Sequence, residues 1–525
     1  MKKYFIQLSL ALLVAVAITG CKKELEEKYN NPELSTTANT GAVFTSILNN
    51  DRVRPSYWNV RTFLLLQPAT YSQTAFFPNT NNMYLQSDDY TGQYWRDFYA
   101  PGVLGKYRTI EVTYNNATAE EKAQQEIFLQ AARVVLYDQA SQMIDLWGDI
   151  PFSEAGALQT TGNIKAPKFD DQVALYNTIL EGLKSCAAYF STATANGAFS
   201  KADILNSGSI DKWRRYANSI RLRLLMRISN VNEAAARTAV LEMINNPTTY
   251  PLVDGNNDAN YSAANSDILL RPLTNYNNSL IDALREVSAH YAPDYMLNKV
   301  MLPSNDPRIP VFFDKWGETV NGTFKPNANY RALPITATNA EVENDFDLYS
   351  IVDSTTFFQN AFLPGIVITA SEVNFLKAEA YERWVSTASA KTAYETALKQ
   401  SVTFYYYLNN LNTSGPKTET KPGAEVIDAF TTNSNVAYAG ATNKLGLIYT
   451  QKWLHFGFLQ SIQAWSDYRR TNYPQLTFPI AGLAAYATPP NRLIYPSVET
   501  AYNTINYQAV QAKDKRETKI FWDVN

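Results

Sequence analysis

The side chains that could do chemistry in this sequence are aromatic rings and planar amides rather than metal ligands or nucleophiles. Aromatic residues make up 13% of the 525 residues, with 34 tyrosines and nine tryptophans. Together with abundant asparagine they suit polar surfaces on which a flat ligand can stack, although a tyrosine-rich core is the alternative use. The sequence contains only two histidines and two cysteines, so a zinc site would lack ligands and no disulfide framework can form.

Catalytic arrangements find little support in the same inventory. A Cys–His nucleophilic pair would need Cys186, which lies within a helical pattern. A glycoside hydrolase needs two carboxylates, and acidic residues are plentiful, but no alternation of strands and helices indicates a barrel. We therefore expect no enzyme, no catalytic residues, no metal and no cofactor. The oxygen-rich run from Asp254 to Asn260 would allow a structural calcium ion, but a solvated loop is the simpler interpretation.

The overall charge excludes another class of partner. The chain carries 46 Lys and Arg against 49 Asp and Glu, a net charge of −3. Nucleic-acid binding needs a basic footprint that this balance does not supply, so no nucleic-acid partner is expected. Apolar residues reach 46% of the chain, which predicts a large folded core rather than disorder.

The N-terminus predicts the compartment. Lys2 and Lys3 precede a mostly apolar stretch from Tyr4 to Ile18 that is short for a membrane span, which is typical of a secretory signal. Cys21 follows Ile18-Thr19-Gly20, which resembles the lipobox of bacterial lipoproteins, where the cysteine becomes the lipidated first residue. We expect residues 1–20 to be a signal peptide and 21–40 a lipidated tether, so that the body is anchored to a membrane and not embedded in it.

Several segments show the helical period. The longest of these apolar stripes ends before Gly148, with Thr118 and Glu121 spaced as a capping box at its start: Leu129, Ala132, Leu136, Ala140, Met143 and Trp147. Helices are also predicted from Val173 to Phe190 and from Trp213 to Ile228. A pair at about 371–385 and 391–407 should pack antiparallel, and one buried helix is expected near 443–468.

Long irregular stretches separate these helical blocks. Residues 51–93, 246–345 and 412–440 are rich in Asn, Pro, Thr, Ser and Tyr and lack the even strand spacing of a barrel or sandwich. Loops of this length are unusual in a compact domain and often carry function. The pattern indicates a helical scaffold that presents aromatic loops. A scaffold for protein interactions, as helical repeats often are, is one function for it.

A series of short motifs, in order behind the lipobox, resembles the SusD/RagB family of outer-membrane lipoproteins. The motifs extend over nearly the whole chain after the signal: Leu146–Phe152, Trp213–Ser219, Arg221–Arg223, Asp306–Arg308, Pro364–Gly365, Ser371–Ala380, Gln463–Thr471 and Asn491–Pro496. The resemblance implies an all-α fold of tetratricopeptide-like helix pairs with a loop-rich binding face. It implies a single domain over 41–525, with a scaffold at about 92–230 and 365–470 and binding loops at about 51–93 and 246–345.

The resemblance also implies a function and a partner. Members of the family capture oligosaccharides, or peptides in the RagB branch, and cover a SusC-like TonB-dependent transporter in the outer membrane without catalysing a reaction. Within the motifs, Glu379 and Arg469–Arg470 are expected to form structural ion pairs rather than to bind ligand. Sugar capture, with peptide capture as the alternative, is the function that the resemblance favours.

Sugar binding would need exposed aromatic rings for the C–H face of a pyranose and amides or charged groups for its hydroxyls. The two irregular stretches at 71–90 and 261–330 contain such combinations. From them we select Tyr84, Tyr276 and Trp316 as stacking rings and Asn81, Asn277 and Arg331 as hydrogen-bonding groups. The competing interpretation is that Trp316 packs on the scaffold and the loop tyrosines only seal the surface.

Overall fold

Helices provide most of the regular structure in the computed structural model, which describes residues 39–75, 82–255, 261–272, 280–287, 289–338, 340–342 and 346–525. The α-helices of nine or more residues within these ranges are Thr40–Leu48, Asp88–Tyr99, Val103–Asn116, Ala119–Trp147, Gln172–Phe190, Ile210–Arg227, Glu233–Asn245, Ala370–Trp384, Thr387–Leu411, Ala424–Thr432, Lys444–Phe456 and Ser461–Thr471. The predicted all-α class is confirmed.

Short helical turns connect these elements. Short α-helical segments are Thr70–Ser72, Ala157–Thr161, Gly197–Ala202, Ala263–Ser266, Ile281–Glu286, Leu302–Ser304, Ile309–Phe312, Ser497–Tyr502 and Thr504–Tyr507. Segments of π-helix are Asn59–Ala69, Tyr295–Met301 and Ser354–Phe358, and 3-10 turns are Phe346–Leu348, Ala484–Tyr486 and Gln511–Lys513. No helix in the described ranges is long and apolar enough to cross a membrane.

The N-termini of two helices are capped by the residues that the sequence predicts. At Thr118 the side-chain oxygen accepts from the Glu121 amide while the Glu121 carboxylate accepts from the Thr118 amide, so the predicted capping box forms in full. At Thr369 only the first half forms. The Glu372 carboxylate instead accepts from Arg223 at 2.5 and 2.8 Å, because a buried guanidinium needs that partner more than a backbone amide does.

Several predicted segments differ from the structure, among them the stretch 412–440, which contains the helix Ala424–Thr432. The single helix expected near 443–468 is two helices, because Gly457 adopts a φ of +51° that ends Lys444–Phe456. The stretch 51–93 is not irregular throughout, since it contains the π-helix Asn59–Ala69, whose turn accommodates Pro68. In the N-terminal half, Val173 starts a predicted stripe but is exposed, and the buried face begins at Leu175.

Strands are few and short, and all their pairings are antiparallel. The pairs are Ile150–Pro151 with Phe169–Asp170, Ile268–Leu270 with Gly365–Ile368, Phe313–Asp314 with Ile351–Val352, and Gly317–Val320 with Thr323–Pro326. Four of these strands lie in the stretch 246–345 that was predicted to be irregular: Ile268–Leu270, Phe313–Asp314, Gly317–Val320 and Thr323–Pro326. The pair of Phe313–Asp314 with Ile351–Val352 holds residues 313 and 352 together. The pair of Gly317–Val320 with Thr323–Pro326 forms a hairpin that extends from it. These two pairs form the frame of short strands in this part of the chain.

A buried network of charged groups joins the helical blocks. Arg470 donates to both oxygens of Glu379 at 2.6 and 2.8 Å, and Asp467 accepts from Lys452 at 2.6 Å. These side chains are almost fully excluded from solvent. The positive neighbours hold the pKa of Glu379 and of Asp467 below the usual range against the effect of burial. The predicted structural pairing of Glu379 with Arg470 is confirmed, whereas Arg469 donates to the backbone carbonyls of Asp145 and Asn491.

The C-terminal segment completes the core of the N-terminal half. The Trp522 indole donates to Asp145 at 2.8 Å, and the Leu493 amide donates to the Leu146 carbonyl at 2.9 Å. The Tyr495 hydroxyl donates to the Asp149 carbonyl at 2.6 Å. Contacts from residues 493–522 therefore stabilise the motif around Trp147.

Candidate ligand-binding surface

An aromatic hairpin stands on the frame of short strands. Trp316 adopts a φ of +54° immediately before the strand Gly317–Val320, and its half-buried ring contacts that of Phe324 with centroids 5.5 Å apart. The Asn327 amide donates to the Trp316 carbonyl at 2.7 Å, which returns the chain to the root of the hairpin. Phe324 is 49% exposed. The positive φ is a strained conformation for tryptophan that turns the chain into the hairpin.

Two acidic side chains lie at the root of this hairpin. Asp353 is fully buried, and its Oδ1 accepts from the amide and hydroxyl of Thr356 and from Asn409. Burial and the adjacent Asp314 raise the pKa of Asp353 to about 7. Asp314 accepts from the Ser354 amide at 2.8 Å. The Asp353 carboxyl therefore keeps its proton more readily than an exposed one, because burial and the neighbouring carboxylate both disfavour its ionised form.

Arg331 lies beside the base of the hairpin with its guanidinium against an aromatic ring. The guanidinium carbon is 4.8 Å from the centre of the Tyr349 ring, and the backbone of Arg331 exchanges hydrogen bonds with Ser350. Lys315 is similarly placed, with its ammonium 5.3 Å from the centre of the Tyr330 ring. The structure thus brings Trp316 and Arg331, two of the residues predicted to bind ligand, to one part of the molecule.

A second aromatic group, here named the Trp58 surface, comprises Tyr57, Trp58, Arg61, Tyr90 and Glu286. Trp58 directly precedes the π-helix Asn59–Ala69 and is 58% exposed. The Tyr57 ring meets it edge to face, with centroids 5.1 Å apart. Trp58 is the most exposed tryptophan among the described residues, which suits it to stacking against a flat ligand.

Polar groups of the Trp58 surface hold one another in fixed positions. The Tyr57 hydroxyl donates to Glu286 at 2.6 Å, and Arg61 pairs with the same carboxylate oxygen. A second nitrogen of Arg61 donates to the Tyr90 hydroxyl at 3.1 Å. The hydrogen bonds from Tyr57 and Arg61 lower the pKa of Glu286, so the carboxylate is ionised at neutral pH. A charged carboxylate beside a guanidinium can accept from and donate to neighbouring ligand hydroxyls.

Tyr84 was predicted to be an exposed stacking ring, but the structure buries it. Its ring is fully buried, packs edge to face with Phe478, and donates its hydroxyl to the Pro479 carbonyl at 2.9 Å. Burial raises the pKa of its hydroxyl. A stacking residue needs a free face, so this prediction is corrected: Tyr84 is a core residue held by a segment nearly 400 positions further along the chain.

The remaining predicted residues cannot be placed on this surface. Asn81, Tyr276 and Asn277 lie outside the described residues, and so do Cys21 and most of the run from Asp254 to Asn260. Within the described ranges, no group of three or more His, Cys, Asp or Glu side chains is arranged to hold a metal ion. The divisions predicted at residues 20 and 40 remain predictions.

Sequence reasoning missed the Trp58 surface, although Trp58 lies in a stretch predicted to carry the binding loops. Its local signal was an adjacent Tyr–Trp pair ahead of an apolar run, which marks a helix start as readily as an exposed ring. The partner Glu286 lies more than 220 residues away, so no local spacing connects the two.

The family comparison covers most of the chain. Residues 32–496 match the SusD-like sequence profile described as "starch-binding associating with outer membrane". No curated protein sequence matches significantly.

Solved structures share the fold at low sequence identity. A chitin-binding protein superposes with a TM-score of 0.74 at 23% identity, covering 93% of this chain and all of that one. A SusD homologue from Bacteroides uniformis gives 0.69 at 21% identity, with 93% and 100% coverage. A chitin-binding SusD homologue from Flavobacterium johnsoniae gives 0.68 at 22% identity, with 93% and 99% coverage. At such identities the likeness establishes the helical, tetratricopeptide-like fold.

Proposed function

This chain belongs to the SusD-like family of starch-binding-type, outer-membrane-associated proteins, and on that premise we propose that it captures oligosaccharides at the cell surface. In this proposal Cys21 carries the lipid that anchors the protein to the outer membrane, facing outwards. The captured sugar passes to a SusC-like TonB-dependent transporter. The protein binds its cargo without transforming it and needs no cofactor.

The Trp58 surface is the observation that carries the proposal. A pyranose has an apolar C–H face and a rim of hydroxyls, and Trp58 offers a flat ring beside the Tyr57–Glu286–Arg61 network. Because Tyr57, Arg61 and Tyr90 fix one another, little side-chain entropy remains to be lost when a sugar binds. The hairpin with Trp316 and Phe324, and Arg331 at its base, provide further rings and a guanidinium in the other stretch predicted to carry binding loops, 246–345.

The affinity expected of such a surface is low. Exposed rings and solvated polar groups form a shallow, wet site, for which dissociation constants of roughly micromolar to millimolar are reasonable. Weak binding suits a protein that must release its cargo to a transporter. The two chitin-binding structures of the same fold favour a glycan over a peptide as cargo.

The proposal is tested by titration calorimetry of the mature lipoprotein in detergent against maltoheptaose, chitohexaose and a panel of peptides. We expect heat from one glycan class, with Trp58→Ala weakening binding about tenfold, as loss of one stacking ring would. Treatment with EDTA should leave the affinity unchanged. The matched control is Val426→Ala, a large exposed apolar residue on another helix, which should bind like the wild type.

Peptide binding with no glycan signal would replace this function by peptide capture, as in the RagB branch. Heat from a glycan that is followed by the appearance of shorter products would indicate a hydrolase. Binding of neither, together with stable complexes with other proteins, would favour an interaction scaffold.

The anchor and the partner need separate experiments. Cys21→Ala should release the protein from the outer-membrane fraction and abolish incorporation of labelled palmitate. Purification of the wild-type lipoprotein from membranes should recover a TonB-dependent transporter of the SusC type. A Cys21→Ala protein that still carries lipid would contradict the anchor.

A further inference from the structure

A cleft of about 320 Å³ is lined by none of the residues of the Trp58 surface or of the hairpin. Its floor is the helix Asp88–Tyr99, one wall is formed by residues between 151 and 167, and the other is the short helix Ser497–Tyr502. The volume lies at the lower end of the range of small-ligand pockets, roughly 300–1,000 Å³. Asn503 and Asn506 donate to the Pro167 and Ala166 carbonyls, so hydrogen bonds tie the two walls together.

Aromatic rings line both the floor and the mouth of this cleft. Trp95 in the floor is buried and fixed, because its indole nitrogen donates to Glu499 at 2.9 Å. Tyr99 packs against it with ring centroids 5.3 Å apart. Tyr502 at the mouth is 84% exposed and has no hydrogen-bond partner among the described residues. One free ring face therefore stands above an aromatic floor.

Several polar groups in the cleft have hydrogen-bonding capacity that the protein itself does not use. The Tyr99 hydroxyl is buried without a hydrogen-bond partner, an arrangement that costs free energy unless a ligand or water fills it. The exposed Arg96 makes no hydrogen bond or ion pair within the described part of the chain. Glu499 accepts from Trp95 and Asn503, which leaves further lone pairs on its carboxylate.

We propose that this cleft is a second sugar-binding site that takes one or two pyranose units of a longer glycan. The inference rests on the proposed function. Tyr502 covers the C–H face, while Arg96, Glu499 and the Tyr99 hydroxyl provide one guanidinium, one carboxylate and one hydroxyl for the sugar rim. A glycan long enough to reach both sites would bind more tightly than a short one, through effective concentration.

The experiment titrates the mature lipoprotein with short and long members of the glycan series that binds, maltotriose against maltoheptaose or chitotriose against chitohexaose. For the short sugar we expect two sites in the wild type. Tyr502→Ala and Arg96→Ala should each weaken one site about tenfold, and Trp58→Ala should weaken the other site to the same degree. Ile505→Ala is the matched control, because Ile505 is equally exposed on the neighbouring turn and does not line the cleft.

Each outcome decides between the two sites. A single site that Trp58→Ala abolishes and that Tyr502→Ala and Arg96→Ala leave intact overturns the second site but supports sugar capture. Absence of binding by every sugar overturns both. If Tyr502→Ala lowers the melting temperature, the Arg96→Ala variant decides, since the Arg96 side chain is exposed and forms no hydrogen bond or ion pair within the described residues. Crystals soaked with the short sugar should show it against Tyr502, and an empty cleft beside an occupied Trp58 surface contradicts the proposal.

Discussion

The scaffold and the Trp58 surface each contain a glutamate paired with an arginine, but the two pairs have different roles. In the scaffold, Glu379 is fully buried and Arg470 binds both of its oxygens. On the surface, Glu286 is half exposed and shares one oxygen between Tyr57 and Arg61. The first carboxylate has no capacity left for a ligand, whereas the second retains an oxygen that can accept from one. Burial, not residue type, separates a structural ion pair from a recognition group.

The energetic contributions of the two pairs should differ accordingly. A buried charge that loses its partner remains desolvated and uncompensated, which typically costs about 3–5 kcal/mol. An exposed pair is screened by water and contributes roughly 0–1 kcal/mol. The comparison therefore predicts that like substitutions affect stability in one region and binding in the other.

The largest effect is expected from Glu379→Gln. The change leaves Arg470, Lys452 and Arg383 without their shared carboxylate, so the free energy of unfolding should fall by about 3–5 kcal/mol. Urea unfolding followed by tryptophan fluorescence measures it. Glu395→Gln, which removes an exposed pair with Lys391 on the adjacent helix, is the control and should cost less than about 0.5 kcal/mol. Equal losses of unfolding free energy in the two variants would contradict the distinction between buried structural pairs and exposed pairs.

The acidic pair under the hairpin should produce the next largest effect. Because the pKa of Asp353 is about 7 in the folded protein against 3.8 ordinarily, the folded state holds a proton that the unfolded state has released between these values. Stability should therefore fall as pH rises from about 4 to 7, by up to about 4 kcal/mol from this group, because each unit of pKa difference contributes about 1.4 kcal/mol. Asp353→Asn should flatten that decline in unfolding experiments at a series of pH values.

The charged and titratable groups around Asp353 are Asp314, Tyr330, Lys417 and Glu419. Asp211→Asn, at an exposed pair with Arg215, is a suitable control and should leave the decline intact. A decline that persists unchanged in Asp353→Asn would assign it to other groups.

Glu286→Gln sharpens the comparison most directly, since it repeats the chemistry of Glu379→Gln at the surface. Stability should change by less than about 0.5 kcal/mol, because the pair with Arg61 is solvated. Glycan affinity should fall about three- to tenfold, because charge-assisted hydrogen bonds to sugar hydroxyls are lost. Calorimetry and urea unfolding of the same preparation check both. A large loss of stability would show that the network of the Trp58 surface is structural.

The smallest effect is expected from Phe324→Ala at the tip of the hairpin. Phe324 is half exposed and contacts Trp316 only across a tilted ring pair, so the affinity for glycan should fall about two- to fivefold. Titration with the longest glycan measures it. No change would restrict the binding surface to the neighbourhood of Trp58.

The scaffold could be predicted because its determinants are local. The stripe from Leu129 to Trp147, its capping box at Thr118 and its stop at Gly148 all belong to one continuous segment of the chain. The pairing of Glu379 with Arg470 followed from the motifs that carry both residues. The break at Gly457 was missed because apolar residues continue on both sides of it, so the helical pattern shows no interruption there.

The candidate site could be predicted only in its general region. Whether a loop tyrosine is exposed depends on what packs over it, and Tyr84 is covered by residues 478–479, far along the chain. Trp58 acquires its polar neighbours from residue 286. The cleft under Tyr502 likewise assembles three segments that no sequence pattern connects. Tertiary contacts of this kind leave no local signal.

The anchoring of Trp522 to Asp145 has a consequence for the order of assembly. During synthesis from the N-terminus, the helix Ala119–Trp147 is complete hundreds of residues before its indole partner exists. Until then Asp145 lacks one of its hydrogen bonds, and the backbone beside Trp147 lacks Leu493 and Tyr495. The N-terminal half should therefore stay incompletely closed during translation, and it should close only when Leu493, Tyr495 and Trp522 have been added.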